Sequence, residues 1–155
     1  MLGICDKKLE ALGYPLDRIP GVGAIYKPVV IDGTTIYTSG AVPFDGDTLA
    51  SKGKVPSQVP LEAAKKAAAL CAANVLRAVR REIGSLDKLE RVIRAVGYVN
   101  SDPDYTEQHL VINGASELLR DVLGDSGIGV RTAIGMAGLP LGSSVELDLI
   151  LKLKT

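Results

Sequence analysis

Apolar residues recur along this chain with two different periods, and the changes of period mark its elements. Over residues 61–83 the apolar positions Leu61, Ala64, Ala68, Cys71, Val75, Ala78 (or Val79) and Ile83 recur at steps of three and four, which predicts a long amphipathic helix. Pro60 suits its first turn and Gly84 its C-terminal cap. Lys65, Lys66, Arg80, Arg81 and Glu82 are expected on its wet side, and its alanine-rich face would let it lie close to a sheet. Residues 144–153 switch to strict alternation: Val145, Leu147, Leu149 and Leu151 face one way, and Glu146, Asp148, Ile150 and Lys152 the other. Residues 130–136 and 89–99 also read as strands, the latter because Arg91, Arg94 and the β-branched residues between them fit no second helix straight after Gly84. A second amphipathic helix is expected over 104–123, with Leu110, Ala115, Leu118, Leu119 and Val122 on its inner side, Asp102 as N-cap and Pro103 at the first helical position. Near the N-terminus, residues 4–12 predict a short helix ended by Gly13 and Pro15, and residues 14–22 a connecting loop. Runs 23–31 and 35–39 flank Asp32-Gly33, a hairpin signal, with Pro28 pushing the first run toward an edge or a bulge. Residues 43–60 predict a long loop with room for a short strand. The predicted order is a leading helix, then β-β-α-β-α-β-β. That order implies an α+β fold, a mixed β-sheet with two helices packed on one face.

Length and composition narrow the picture. The 155 residues suit one domain, 1–155, with residues 1–22 as an N-terminal helix and loop extension. Hydrophobic residues make up 46% of the chain and tryptophan is absent, so aliphatic side chains must fill the core. Eighteen basic and eighteen acidic residues cancel, which argues against a chain built to grip nucleic acid or an anionic membrane surface. The arginines Arg77, Arg80, Arg81, Arg91 and Arg94 form a modest basic cluster, read as a solvated face. Cys5 and Cys71 are far apart and His109 is the only histidine, so no cluster has metal-ligand spacing and reduced thiols in a cytoplasmic protein are expected. No run of apolar residues is long enough to predict a membrane span or a signal peptide.

Common catalytic patterns are mostly missing. His109 sits within a predicted helix without a placed partner and reads as a surface histidine. The Gly21-Val22-Gly23 and Gly127-Ile128-Gly129 pairs lack the third glycine and the strand-to-helix context of a dinucleotide fingerprint, and read as turn glycines. Arg131 and Glu146 are different. Each places a charge within a strand flanked by apolar residues, where it faces solvent, pairs across the sheet, or serves a site.

The run from Arg131 through Leu139-Pro140 to Glu146 resembles the C-terminal signature of the RidA (YjgF/YER057c/UK114) family, also called endoribonuclease L-PSP-like, with the same arginine-to-glutamate interval. Ile36-Tyr37-Thr38-Ser39-Gly40-Ala41-Val42-Pro43 is similar to that family's Ser-Gly strand end. Tyr26 falls at its active-site tyrosine, and Asn113 with Gly114-Ala115 resembles the asparagine early in its second helix. The resemblance spans about residues 23–153. Departures are Ala133 for the family's cysteine, Ala24-Ile25 before Tyr26 for Gly-Pro, Ala41 for a glutamine, the N-terminal helix and the long 43–60 loop. These mark a longer, divergent branch.

The resemblance implies a chorismate-mutase-like fold, a homotrimer with inter-subunit clefts, and hydrolysis of reactive 2-imino or 2-enamino acids to 2-keto acids and ammonia, with no metal or organic cofactor. By the same resemblance, Arg131 would hold the substrate carboxylate and Glu146 would orient and deprotonate water. Ser39 and the backbone near Ala133 would hydrogen-bond substrate or water, Tyr26 would close the pocket, and Asn113 would support it. Two other readings stay open: a non-catalytic small-carboxylate-binding or regulatory protein using the same arginine pocket, and an endoribonuclease. Zero net charge and the lack of a histidine pair weigh against the last.

Overall fold

In the computed structural model, which describes all 155 residues, the chain runs α1 (Ile4–Ala11), β1 (Val29–Asp32), β2 (Thr35–Thr38), β3 (Phe44–Asp45), β4 (Thr48–Leu49), α2 (Leu61–Ile83), β5 (Leu89–Asn100), α3 (Gln108–Leu123), β6 (Val130–Met136) and β7 (Val145–Leu153). Five strands form one sheet in the order β1-β2-β7-β5-β6, with β5 and β6 parallel and the other pairs antiparallel. The helices α2 and α3 pack on each other and on the same face of that sheet, α2 across β7 and α3 across β5 and β6. This is the mixed-sheet α+β architecture that the periodicities predict, and no helix is long and apolar enough to cross a membrane.

The alternation in β7 is carried through. Val145, Leu147, Leu149 and Leu151 are all buried against the helices, and the residues between them are only partly covered. In β5 the buried positions step by three, Leu89, Val92 and Ala95, before settling to a step of two. Register shifts between Leu89 and Arg91 and between Val92 and Arg94 account for this, because each bulge adds one residue to the strand. The core is a single cluster of 30 buried apolar residues, dominated by alanine, valine and leucine. Small residues set the helix spacing: a Cβ placed at Gly114 in α3 would overlap the Lys65 carbonyl in α2.

Four local expectations are corrected. Residues 23–28 do not join β1; a bend at 24–26, closed by Tyr26 N–H donating to Ala24 O at 3.1 Å, puts Tyr26 in a loop. Helix α3 begins at Gln108, not near 104. Asp102 does not cap it, for its carboxylate accepts from Ser57 N (2.8 Å) and Ser57 Oγ (2.9 Å) and so ties down the loop before α2. As a result Val111 and Ile112 enter the core while Leu110 lies at its margin. The 43–60 segment, expected as a long loop with room for a short strand, carries the two-stranded hairpin β3–β4 in keeping with that expectation.

The fourth correction is Arg77, which belongs to no solvated face: it is 2% exposed. Its Nε donates to Pro15 O (2.7 Å) and its Nη1 to Asn74 Oδ1 (2.8 Å), and the guanidinium lies over the Tyr14 ring. Asn74 Nδ2 in turn donates to Val42 O and Phe44 O. One buried arginine therefore ties the N-terminal extension and the β3 hairpin to α2. Burial pushes its guanidinium below its ordinary pKa. Arg80 is likewise drawn in, with Nε 3.3 Å from the buried Asp6. Asp6 accepts hydrogen bonds from Gly3 N, Ser85 Oγ and Leu86 N, which fixes α1 to the turn between α2 and β5.

Candidate functional site

Arg131 projects from β6 toward α3. Its Nη1 donates to Asn113 Oδ1 (2.8 Å) and Ser116 Oγ (3.1 Å), and its Nη2 donates to His109 O (3.1 Å). These partners lie at positions 109, 113 and 116, one turn apart on one stripe of α3. All three are neutral oxygens. The five ion pairs of the chain are Arg18–Asp45, Lys65–Glu117, Arg80–Asp6, Arg81–Glu82 and Lys152–Glu90, so no carboxylate neutralises Arg131. The guanidinium is held in orientation, exposed, and paired with no acid. That arrangement suits capture of an external carboxylate, since a fork already fixed in direction loses less freedom when it binds.

Ala133 lies two residues along the same edge strand. Ser101 N–H donates to Met136 O, so the even-numbered residues of β6 direct their peptide groups toward β5. By alternation the Ala133 N–H and C=O point out from the sheet edge, where a ligand can meet them.

Glu146, Ser39 and Tyr26 meet elsewhere. All three line a cavity of about 550 Å³ bounded by residues 19–28, the end of β2, α2 and Leu141. Ser39 stands just past β2, where its N–H donates to Pro28 O and its Oγ donates to Lys27 O at 2.6 Å. With its proton so committed, the Ser39 oxygen faces a ligand as an acceptor. Tyr26 is half exposed at the rim. Burial, and after it the nearby Asp148 carboxylate, raises the Glu146 carboxyl above the ordinary carboxylate value. Asp148 itself accepts from Tyr98 Oη at 2.7 Å, and burial with that bond pushes the Tyr98 hydroxyl up to about 12. A carboxylate raised toward neutrality can both take and return a proton.

The six predicted residues thus fall into two groups within one chain. Arg131, Asn113 and Ala133 lie along β6 and α3. Tyr26, Ser39 and Glu146 share the cavity. The register explains the separation: Glu146 pairs with Tyr98, which pairs with Ile134, while Arg131 pairs with Ala95. Arg131 and Ile134 are three residues apart on one strand, so their side chains leave opposite faces of the sheet.

Sequence reasoning missed three contributors. Ser116 is the third oxygen on Arg131, and its spacing from His109 and Asn113 was the available signal. Gly40 is required beside Glu146, since a Cβ built there would overlap the Glu146 carboxylate. Leu141 lines the cavity with φ of 62°, a left-handed backbone that non-glycine residues seldom adopt; nothing in its neighbours marks it in advance. His109 is exposed, as a surface histidine should be, and serves through its carbonyl.

Comparison with known proteins agrees with this geometry. The family model described as "YjgF/chorismate mutase-like, putative endoribonuclease" matches residues 6–153. Protein TCP17 of Trypanosoma cruzi is 33% identical over 146 residues, covering 94% of this chain and 91% of that protein. The crystal structure of Atu1372 from Agrobacterium tumefaciens superimposes with a TM-score of 0.91 at 41% identity, over 97% of this chain and 93% of that one. RidA from the Antarctic bacterium Psychrobacter sp. shares the fold, with a TM-score of 0.61 at 24% identity over 88% of this chain and 95% of that one. With its sheet order, its Arg131-to-Glu146 motif and a family match running nearly end to end, this chain belongs to the YjgF/chorismate mutase-like family that includes RidA.

Proposed function

We propose that this protein is an enamine/imine deaminase that hydrolyses 2-imino acids to 2-keto acids and ammonia without a metal or organic cofactor. The observation that carries the reading is the state of Arg131, oriented by three neutral oxygens and paired with no acid. A structural arginine on a sheet edge would be expected to pair with a carboxylate or trail into solvent. This one is clamped and left without an acid.

In the reaction, Arg131 grips the substrate carboxylate and sets the position of C2. Glu146 accepts a proton from water as the water oxygen bonds to C2, and passes that proton to the nitrogen as the C=N electron pair moves there. In the resulting carbinolamine Glu146 takes the hydroxyl proton and hands it to the amine. The C–N bond breaks, ammonia leaves and the C2–O bond becomes the keto group. The raised pKa of Glu146 suits a group that must serve first as base and then as acid. Ser39 and the outward peptide groups of Ala133 supply hydrogen bonds to substrate, Tyr26 covers the cavity, and Asn113 steadies Arg131.

Since Arg131 and Glu146 leave opposite faces of one sheet, the reading requires that the Arg131 edge of one subunit close the cavity of its neighbour. A homotrimer satisfies that requirement with three equivalent clefts. The test is an imine-hydrolysis assay with semicarbazide as trap, run beside light scattering: turnover by a trimer is expected. A monomer at micromolar concentration, or an imine lifetime unchanged by the protein, overturns the reading. A protein that binds keto acids without shortening imine lifetime would be a carboxylate-binding module.

A further inference from the structure

Resting on the deaminase reading, we propose that this site takes 2-imino acids with a large aliphatic or aromatic side chain, of leucine or phenylalanine size, in preference to alanine-sized ones. The cavity holding Glu146 has a volume of about 550 Å³, within the range of roughly 300–1,000 Å³ that accommodates drug-sized ligands. An alanine-derived imine would leave most of that space to water. The polar groups Tyr26, Thr38, Ser39, Asn74, Arg81 and Glu146 are set among apolar walls formed by Ile19, Val22, Val42, Phe44, Val75 and Leu141. Of the polar groups, Asn74 is taken up by Arg77, Val42 O and Phe44 O, Thr38 Oγ1 by the Leu149 backbone and Arg81 by Glu82 at 3.7 Å, so the wall left open to a substrate side chain is mainly apolar.

Two features show that these walls are held in place. Ile19 and Val22 belong to the N-terminal extension, which Arg77 fastens to α2 through Pro15 O. Leu141 keeps a left-handed backbone, φ 62°, and is well exposed at the cavity mouth. A strained, exposed leucine in a short turn persists only where the surroundings enforce it, and such residues gather at ligand sites. Here its side chain completes an apolar rim around a polar floor. Side-chain size would then be read by burial, each added methylene being worth about four-fold in favourable cases.

The experiment measures kcat/KM for imines generated from alanine, leucine and phenylalanine, with binding of pyruvate, 4-methyl-2-oxopentanoate and phenylpyruvate measured in parallel on the intact protein. Leucine- and phenylalanine-derived imines are expected to exceed the alanine-derived one at least tenfold. Ala78→Phe, which fills the cavity from α2, should erase that advantage, lowering kcat/KM far more for the leucine- and phenylalanine-derived imines than for the alanine-derived one. Leu141→Gly removes apolar wall and relieves the positive φ, so it should fold well and still lose the preference severalfold. Equal rates across the three imines, or a preference for the smallest, overturn this proposal while leaving the deaminase reading standing. No turnover, with the larger keto acids still bound at least tenfold more tightly than pyruvate, sinks the deaminase reading and upholds the apolar cavity as the size-selective element. No turnover with no size preference in binding overturns both.

Discussion

Gly40→Ala perturbs the candidate site through a single methyl group. A Cβ built at Gly40 overlaps Glu146 Oε1 and comes within 2.9 Å of Glu146 Cδ and 3.1 Å of Cγ. All three atoms belong to a flexible side chain, so the clash is relieved by rotating Glu146 rather than by moving backbone. A side chain forced about 30° off its rotamer costs about 0.5–1.5 kcal/mol, and replacing glycine with alanine at a compatible backbone returns about 0.4–1 kcal/mol by narrowing the unfolded ensemble. The two nearly cancel, so the melting temperature should move by only a few degrees. Turnover should not be spared. Displacing the general base by about 1 Å can cost on the order of a hundredfold, and that loss should fall on kcat, with keto-acid affinity held near wild type because Arg131 is untouched. Calorimetry beside the semicarbazide-trapped imine assay separates the two effects. Wild-type kcat in a folded Gly40→Ala protein would refute the reasoning about Glu146, and a collapsed fold would refute the claim that the clash is confined to a side chain.

Other consequences can be measured singly. Asn113→Asp places a carboxylate against Arg131 and should weaken keto-acid binding at least tenfold by calorimetric titration without lowering the melting temperature, whereas a purely structural Arg131 would gain stability and show no ligand effect. Glu146 acting as a base makes the rate rise with pH through its raised pKa; Asp148→Asn removes a neighbouring negative charge, so the acid limb of the kcat profile should move to lower pH. A carboxyl whose folded pKa lies above its unfolded one destabilises the fold as pH rises through the unfolded value, fully so above the folded value. Glu146→Gln should therefore raise the melting temperature at pH 8 relative to wild type and not at pH 4, while abolishing turnover. Asp6→Ala removes the acceptor for Gly3 N, Ser85 Oγ and Leu86 N and the partner of Arg80, and should cost about 3–5 kcal/mol in urea denaturation.

Much of the fold was legible because burial acts through period. The alternation of β7 and the three-four step of α2 state directly which side of each element meets the core. What misled was chemistry that local pattern does not contain. Asp102-Pro103 has the form of a helix start, yet its carboxylate is claimed by Ser57, a residue 45 positions away, and α3 starts later. Arg77 sits in a run of arginines and reads as solvated until the extension folds over it. Tyr26 reads as a strand residue because Tyr and Val favour strands, but Pro28 and the bend at 24–26 end the pairing before it is reached. For the site, the interval from Arg131 to Glu146 was visible and their placement on opposite faces was not. That placement depends on how β6, β5 and β7 register, which is settled by bulges and tertiary contacts.

The central claim is that Arg131 anchors a carboxylate for hydrolysis at Glu146, and the lifetime of a trapped imine in the presence of Arg131→Ala tests it most directly. Losing a charge-assisted, two-pronged contact of about 2–5 kcal/mol predicts at least a thirty-fold drop in kcat/KM. The oligomer and the melting temperature should hold, since the residue is exposed and neutralises no buried acid. Arg131→Lys should fail nearly as badly, because a point charge cannot reproduce the fork. Wild-type turnover in a folded Arg131→Ala protein would contradict the account.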